Sequence, residues 1–411
     1  MALHIHRAER TDLLADGLGA LLAEPLPDPF AQELVLVPAR GVERWLSQRL
    51  SHRLGAAADH GDGVCAGVSF RSPASLIAEI VGTAEEDAWS PEAMTWPLLG
   101  VIDSSLAESW CRTLAKHLGH FDVGDEAELR QGRRYSVARR LAGLFASYAR
   151  QRPGLLVDWL DGDVGDLDAD LLWQPELWRA LVAAIPADPP HVRHRKTLAR
   201  LREGPAGLPS RLSLFGHTRL ARTDVELLEA VATHHDLHLW LPHPSDALWR
   251  ALDGMRGAVA RRADTSHRQV GHPLLATLGR DLRELQRSLP ADPATDEALG
   301  EPGRRDTLLS WLQSDLAANA VRPEGRSLAD DDRSVQVHSC HGPARQIDVL
   351  REVLLGLLAD DPTLEPRNIL VMCPDIETYA PLIVADFGLG DVVNGAHPAH
   401  RLRVRLADRS L

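Results

Sequence analysis

Three textures of hydrophobic and polar positions follow one another along the chain. Thr11 to Leu22 carries apolar residues at helical spacing, and Pro25, Pro27 and Pro29 end the run. Glu33 to Val37 (ELVLV) is a short apolar run and predicts a buried strand. A helix is expected through Trp45, Leu46, Leu50 and Leu54, with Gly55 as its stop. Val64 to Phe70 predicts a second strand, and Ser72-Pro73 opens another helix. From about Glu85 to Leu201 strand-like runs vanish and helical periodicity dominates. Trp89, Trp96, Trp110, Trp159, Trp173 and Trp178 all fall in this segment, and they read as core rather than as base-stacking platforms.

The α/β texture returns at Leu208. Arg211 to Phe215 predicts a strand, Asp224 to Thr233 a helix, and Leu237 to Leu241 (LHLWL) a strand stopped by Pro242. Arg256 to Arg333 is arginine-rich and poorly periodic, so loops and isolated helices are expected. A further unit begins with a strand at Val335 to His338 and a helix from about Ala344 to Leu358. A strand at Asn368 to Met372 follows, then a helix capped by Asp375 and running toward Phe387, and a strand-like run from Leu402 to Leu406. So short a second unit cannot readily close a doubly wound sheet, as expected of a piece of a longer polypeptide.

Composition changes this picture little. A length of 411 residues suggests two or three domains, and 44% hydrophobic with 25% charged residues suits a globular core. The cysteines Cys65, Cys111, Cys340 and Cys373 are scattered, which reads as reduced thiols in a cytoplasmic protein. MALHIHRAER has no apolar h-region, and no apolar run approaches the ~20 residues of a membrane span.

Charge changes it more. The net charge of −13 does not advertise nucleic-acid binding for the whole chain. Yet Arg130 to Val157 holds seven arginines and no acid, and Asp158 to Asp170 holds six aspartates and no basic residue. His191 to Arg202 is basic again. These runs are either solvated helix faces or an arginine track for phosphates beside a repulsive acidic wall.

The α/β pattern makes a phosphate loop the first chemistry to seek. Such a loop needs glycines that bring backbone N–H groups to the phosphates, then a lysine, then a hydroxyl for magnesium. Only Lys116 and Lys196 are present, and no glycine loop leads into Lys196-Thr197. After ELVLV, where the loop is expected, stands Pro38-Ala39-Arg40-Gly41-Val42-Glu43-Arg44. The strand RLSLF, where a magnesium-holding carboxylate is expected, ends in Gly216-His217-Thr218. ATP hydrolysis of that type is therefore not expected. His338, Cys340, His341 and Cys373 match no standard zinc spacing, and His234-His235 reads as a helix terminus, so no metal is expected. GxSxG and HExxH are absent.

Several segments together resemble the RecC family, the gamma subunits of exodeoxyribonuclease V. They are LVLVPARGVERWLSQRLSHRLG, FRSPASLIAEIV, YSVARRLAGLFASYARQRP, LWQPELWRALV, GLPSRLSLFGHT and HPLLATLGRD. The longest is VQVHSCHGPARQIDVLREVLLGLLADDPTLEPRNILVMCPDIETYAPLI. The resemblance implies an α/β, superfamily 1 helicase-like fold, a degenerate P-loop NTPase-type domain with an all-helical insertion. Residues 1–84 and 205–333 would form this first inactive domain, 85–204 its helical insertion, and 334–411 the start of a second helicase-like domain.

The resemblance also implies a role. RecC-like subunits assemble with RecB-like and RecD-like subunits on double-stranded DNA ends, without contact to a membrane. They help split the strands and guide the 3′ single strand through a tunnel where Chi is read. The chain itself would bind no cofactor, magnesium and ATP being used by the partner subunits. Family tunnel positions match Pro38, Arg40, Arg44, Ser72 and Ala78, and the basic segment adds Arg133, Arg134 and Arg195. Arginine at 40 and 44 suits guanine edges or phosphates. The family has small polar side chains there and a bulky one at position 78, departures that bear on which sequence is read. The competing expectation is a scaffold that holds RecB- and RecD-like subunits and touches little DNA.

Overall fold

The computed structural model describes residues 2–54, 63–257, 259, 261–290, 292–300, 305–322, 324–387, 402 and 404. Two compact units are distinguished. One comprises Met1–Pro38, Leu46–Gly303 and Gln313–Arg322; the other comprises Ala39–Trp45, Arg304–Leu312 and Pro323–Leu411.

The first unit is built on a six-stranded parallel sheet in the order β3-β2-β4-β5-β1-β6. Its strands are β1 Leu3–Ala8, β2 Glu33–Leu36, β3 Val68–Arg71, β4 Arg211–Phe215, β5 Asp236–Pro242 and β6 Thr295–Ala298. In β2, Leu34, Val35 and Leu36 are all buried, as in a strand covered on both faces. β1 and β6 were not expected. The pattern LHIHRA alternates polar residues into the strand, and TDEA carries almost no apolar residue, so neither looks like part of a covered sheet. The structure sets β1 between β5 and β6, where the polar side chains of the two strands satisfy one another.

Helices α1 Thr11–Leu22, α2 Arg40–Ser51 and α3 Pro73–Val81 connect the first strands. Ser72 caps α3 by accepting a bond from Ser75 N at 3.1 Å, Pro73 fits the first turn, and Gly82 closes the helix at φ 80°. Gly17 lets α1 lie against Trp240: a Cβ there would meet the indole at 2.8 Å. The segment expected to be helical contains α4 Pro91–Ser105, α5 Arg112–His117, α6 Asp125–Gln131, α7 Arg134–Gln151, α8 Pro153–Leu160, α9 Trp173–Ala184 and α10 Pro190–Glu203. Its own core gathers Trp89, Met94, Phe145, Trp159 and Trp178, with Trp110 and Trp173 packed against it. Trp96 departs from the expectation and stands largely in solvent.

The chain then returns to the sheet with α11 Arg222–Ala232, α12 Asp246–Ala251, α13 Pro273–Leu278 and α14 Arg280–Ser288, followed by α15 Leu308–Ala317. Leu227, Leu228 and Val231 of α11 and Leu285 of α14 share a core with the sheet.

In the second unit the described residues form α16 Pro343–Asp360 and α17 Ile376–Phe387, which share a small core of Ile347, Ile383 and Phe387. Asp375 caps α17 as expected, its Oδ1 accepting from Thr378 N at 3.3 Å. The strands expected at 335–338 and 368–372 are not formed. Neither segment has a strand partner among the described residues, and Val337 and Met372 stand exposed rather than covered. The run 402–406 lies largely outside the described residues.

Candidate nucleic-acid interface

In an open parallel sheet, ligands bind beyond the carboxyl ends of the strands. β1 adds a strand–turn–helix junction there that lies upstream of the expected one. Its turn is Glu9-Arg10, with Arg10 bonded to Asp12, and it too lacks glycine, lysine and hydroxyl before Thr11. The junction after β2 is shorter than the expected loop, because α2 already begins at Arg40. Arg40 and Arg44 are therefore exposed helical residues one turn apart, on one face.

At the end of β4, His217 is buried and its Nε2–H donates to the Leu36 carbonyl at 3.3 Å. Burial pushes its pKa down, which keeps the ring neutral. The buried carboxylate further on, Asp224, accepts from Arg150 Nη2 of α7 at 2.6 Å. It is thus committed to joining the helical segment to the sheet.

The anticipated site residues fall in different places. Pro38, Ser72, Ala78, Arg133, Arg134 and Arg195 belong to the first unit, and Arg40 and Arg44 to the second. Pro38 is exposed. Ser72 is engaged as the α3 cap, and the half-buried Ala78 offers its carbonyl to Thr83 N at 2.7 Å. Arg195 is exposed on α10, where it adds to burial in lowering the pKa of His191.

The arginines around α7 divide into two groups. Arg130 pairs with Asp122 at 3.1 Å and Glu126 at 2.6 Å, Arg134 with Asp103 of α4 at 3.1 Å, and Arg150 with Asp224. Arg133, Arg139, Arg140 and Arg152 are exposed and have no ion pair among the described residues. Helix geometry gathers the second group. At about 100° per residue, Arg139, Arg140 and Arg133 lie on one side with Ser136, Gly143 and Ser147 between them. The opposite side buries Ala138, Leu141, Ala142 and Phe145. Small residues separate these exposed guanidinium groups along the helix.

This face is held in place. Besides the Arg150–Asp224 pair, Thr223 Oγ1 of α11 donates to the Arg150 carbonyl at 3.2 Å. Just beyond the end of α7 lies a cleft of about 300 Å³ lined by Arg152, Arg219, Arg222, Arg280 and Arg287. Arg222, Arg280 and Arg287 are paired with Glu226, Glu284 and Asp264, while Arg152 and Arg219 have no pair among the described residues. All six aspartates from Asp158 to Asp170 are exposed. Arg139 and Arg140 could have been found in the sequence from their spacing of six and seven residues from Arg133, whereas Arg219 carried no such signal.

No group of three or more His, Cys, Asp or Glu among the described residues is arranged to hold a metal ion, and none of their helices is long and apolar enough to cross a membrane.

Residues 3–319 match the family described as RecC, N-terminal domain. The chain is 76% identical, over its whole length, to the RecBCD enzyme subunit RecC of Mycobacterium tuberculosis (strain CDC 1551 / Oshkosh), of which it covers 38%. The RecBCD enzyme subunit RecC of Mycolicibacterium smegmatis is 72% identical over the whole chain and 37% covered. That of Escherichia coli (strain K12) is 29% identical over 94% of the chain and 38% covered. The chain therefore spans under two fifths of the length of these relatives.

Proposed function

The chain belongs to the RecC N-terminal domain family, and from that premise we propose that it is a non-catalytic, DNA-guiding part of a RecBCD-type helicase–nuclease. The assembly would contain RecB-like and RecD-like subunits and act on broken duplex ends in recombinational repair. The chain would help part the strands and lead the 3′ strand toward the place where Chi is read. The observation that carries this reading is the α7 face of Arg133, Arg139 and Arg140, without carboxylate partners among the described residues and anchored to α11 through Arg150 and Asp224. Phosphate contacts of this kind position a nucleic acid without reading its sequence.

We further read the sheet as a superfamily 1 helicase-like, degenerate P-loop domain made of residues 1–84 and 205–333. Residues 85–204 would be its helical insertion and 334–411 the start of a second such domain. In support, both early strand–helix junctions lack the phosphate-loop residues and a neutral histidine follows β4. On this reading the chain hydrolyses no ATP. Arg40 and Arg44 would each face nucleic acid, as would Pro38, Ser72, Ala78, Arg134 and Arg195.

The test uses the complete assembly of the full-length subunit with its partners. Affinity for duplex ends is measured against salt for the wild type and for a variant carrying Arg133→Glu, Arg139→Glu and Arg140→Glu. For every phosphate no longer neutralised, the slope of log affinity against log salt should shrink by about 0.9 on duplex DNA. An unchanged slope with assembly intact would favour the scaffold, in which this region holds the other subunits and touches little DNA.

A further inference from the structure

Exposure sets one tryptophan of the helical segment apart. Trp89, Trp159 and Trp178 are buried, whereas Trp96 on α4 is 67% exposed. Its ring meets that of Tyr135 on α7, with centroids 5.5 Å apart and planes inclined by 47°. Tyr135 is itself 47% exposed. Scattered surface apolar residues need no explanation, but two large rings held together in solvent form a patch with a shape.

Neighbouring residues give that patch a charge. Arg139 lies four residues after Tyr135 and is therefore its neighbour on the surface of α7. Arg133, at the start of the same helix, points to the far side of the free arginine face, about 160° from Tyr135. Both are exposed and without an ion pair among the described residues. Between them, Arg134 is held at 3.1 Å by Asp103 of α4, two helical turns beyond Trp96. That pair joins α4 to α7, whose shared apolar core sets the spacing of the two rings. Against the free arginines, the exposed carboxylate one turn before Trp96 is Glu92.

We propose that Trp96 and Tyr135 form a base-stacking platform for single-stranded nucleic acid, with Arg139 holding the phosphate beside the stacked base. The proposal rests on the reading of α7 as a nucleic-acid face and goes beyond it. The arginines alone would serve duplex and single strand alike. An aromatic face requires a base whose own face is free, which a duplex interior does not offer. Every base has such a face, so the platform would hold a passing strand without preference for sequence, as guiding demands. At Arg139 the rings border the face of exposed arginines on α7, and that continuity favours a polyanion over a protein surface.

The experiment uses the complete assembly and a duplex end carrying a single-stranded 3′ tail substituted with 5-iodouracil. Near-ultraviolet irradiation links that base to an aromatic side chain in contact with it, and the linked peptides are identified by mass spectrometry. Tail affinity is measured in parallel for Trp96→Ala/Tyr135→Ala, for Trp96→Phe/Tyr135→Phe and for Arg139→Glu/Arg140→Glu. The expected results are a cross-link at Trp96 or Tyr135, a loss of about tenfold in tail affinity for the alanine pair, and recovery with the phenylalanine pair.

The proposal is overturned if no cross-link maps to either ring and the alanine pair binds the tail normally. If the glutamate pair still lowers the salt slope in that case, the platform is wrong and the α7 reading stands; if it does not, both fail. Loss of subunit assembly by the alanine pair, with tail affinity intact, would make the rings a protein contact and likewise overturn the proposal.

Discussion

The helical segment and the sheet bury opposite kinds of residue. The helices keep charge outside and enclose a core of rings: Trp178 lies 5.5 Å from Trp89 and 5.4 Å from Phe145, and Tyr148 meets Trp159 edge-on at 5.8 Å. The sheet instead draws polar residues into its interior through β1. Arg7 donates to Asp296 at 2.6 Å and to Asp246 at 2.7 Å, and lies over the Trp249 ring. On the other face of β1, His6 donates through Nδ1 to Glu297 at 2.5 Å and shares a 3.0 Å hydrogen bond with His238. Its ring stacks on Trp240 at 4.0 Å. An apolar core tolerates any arrangement that fills space, whereas a buried polar row works only when every partner is in register. The helical segment can therefore spend its arginines on a surface task, while the sheet consumes its own charges internally.

The largest expected effect lies in the ring core. Trp178→Ala should lower the stability of the first unit by about 3–5 kcal/mol, read by chemical denaturation. A loss below about 1 kcal/mol would mean that the helical core is not packed as described.

The next effect lies in the polar row. Arg7→Ala removes the cation of Asp296 and one of the two cations of Asp246, which keeps Arg250 at 2.5 Å, and should cost about 2 kcal/mol, less than a fully buried pair because solvent reaches both carboxylates. An unchanged denaturation midpoint would show that β6 does not depend on this pairing.

Acid should separate the two regions next. Burial lowers the pKa of His6, takes that of His238 down to about 3 and that of the buried His243 down to about 4. A histidine whose folded pKa lies below its unfolded value contributes stability that is complete above pH ~6.5. That contribution is lost as pH falls from there toward the folded values, because the unfolded chain takes up protons that the folded chain refuses. Stability should thus decline from pH ~6.5 downward, and His238→Phe, which keeps a ring in the stack, should flatten the decline. An equal acid response in wild type and variant would place the titration elsewhere.

The smallest effects belong to the arginines of α7. Arg134→Ala breaks a partly exposed pair and should cost less than about 1 kcal/mol. Arg139→Ala and Arg140→Ala should stay within about 0.5 kcal/mol of wild type. A larger loss at position 139 or 140 would assign it a structural role and remove it from the proposed nucleic-acid face.

Local pattern determined much of this molecule. The buried strands β2, β4 and β5, the capped helix α3, the helical run from Pro91 to Glu203 and the acid-free arginine stretch follow from periodicity, caps and charge within a few residues of one another. The absence of a phosphate loop was legible for the same reason, since that chemistry needs contiguous residues. Tertiary structure alone decided the rest. β1 and β6 are strands because Arg7 meets Asp296 and His6 meets Glu297 across nearly the whole length of the first unit, and neither sequence hints at the other. The segments at 335–338 and 368–372 have the apolar pattern of strands but no neighbour to pair with among the described residues, and a strand exists only through hydrogen bonds to a second one. Which arginines remain free was settled in the same way: Arg133 and Arg134 are adjacent in sequence, and only the position of Asp103 on another helix neutralises one and leaves the other open to solvent.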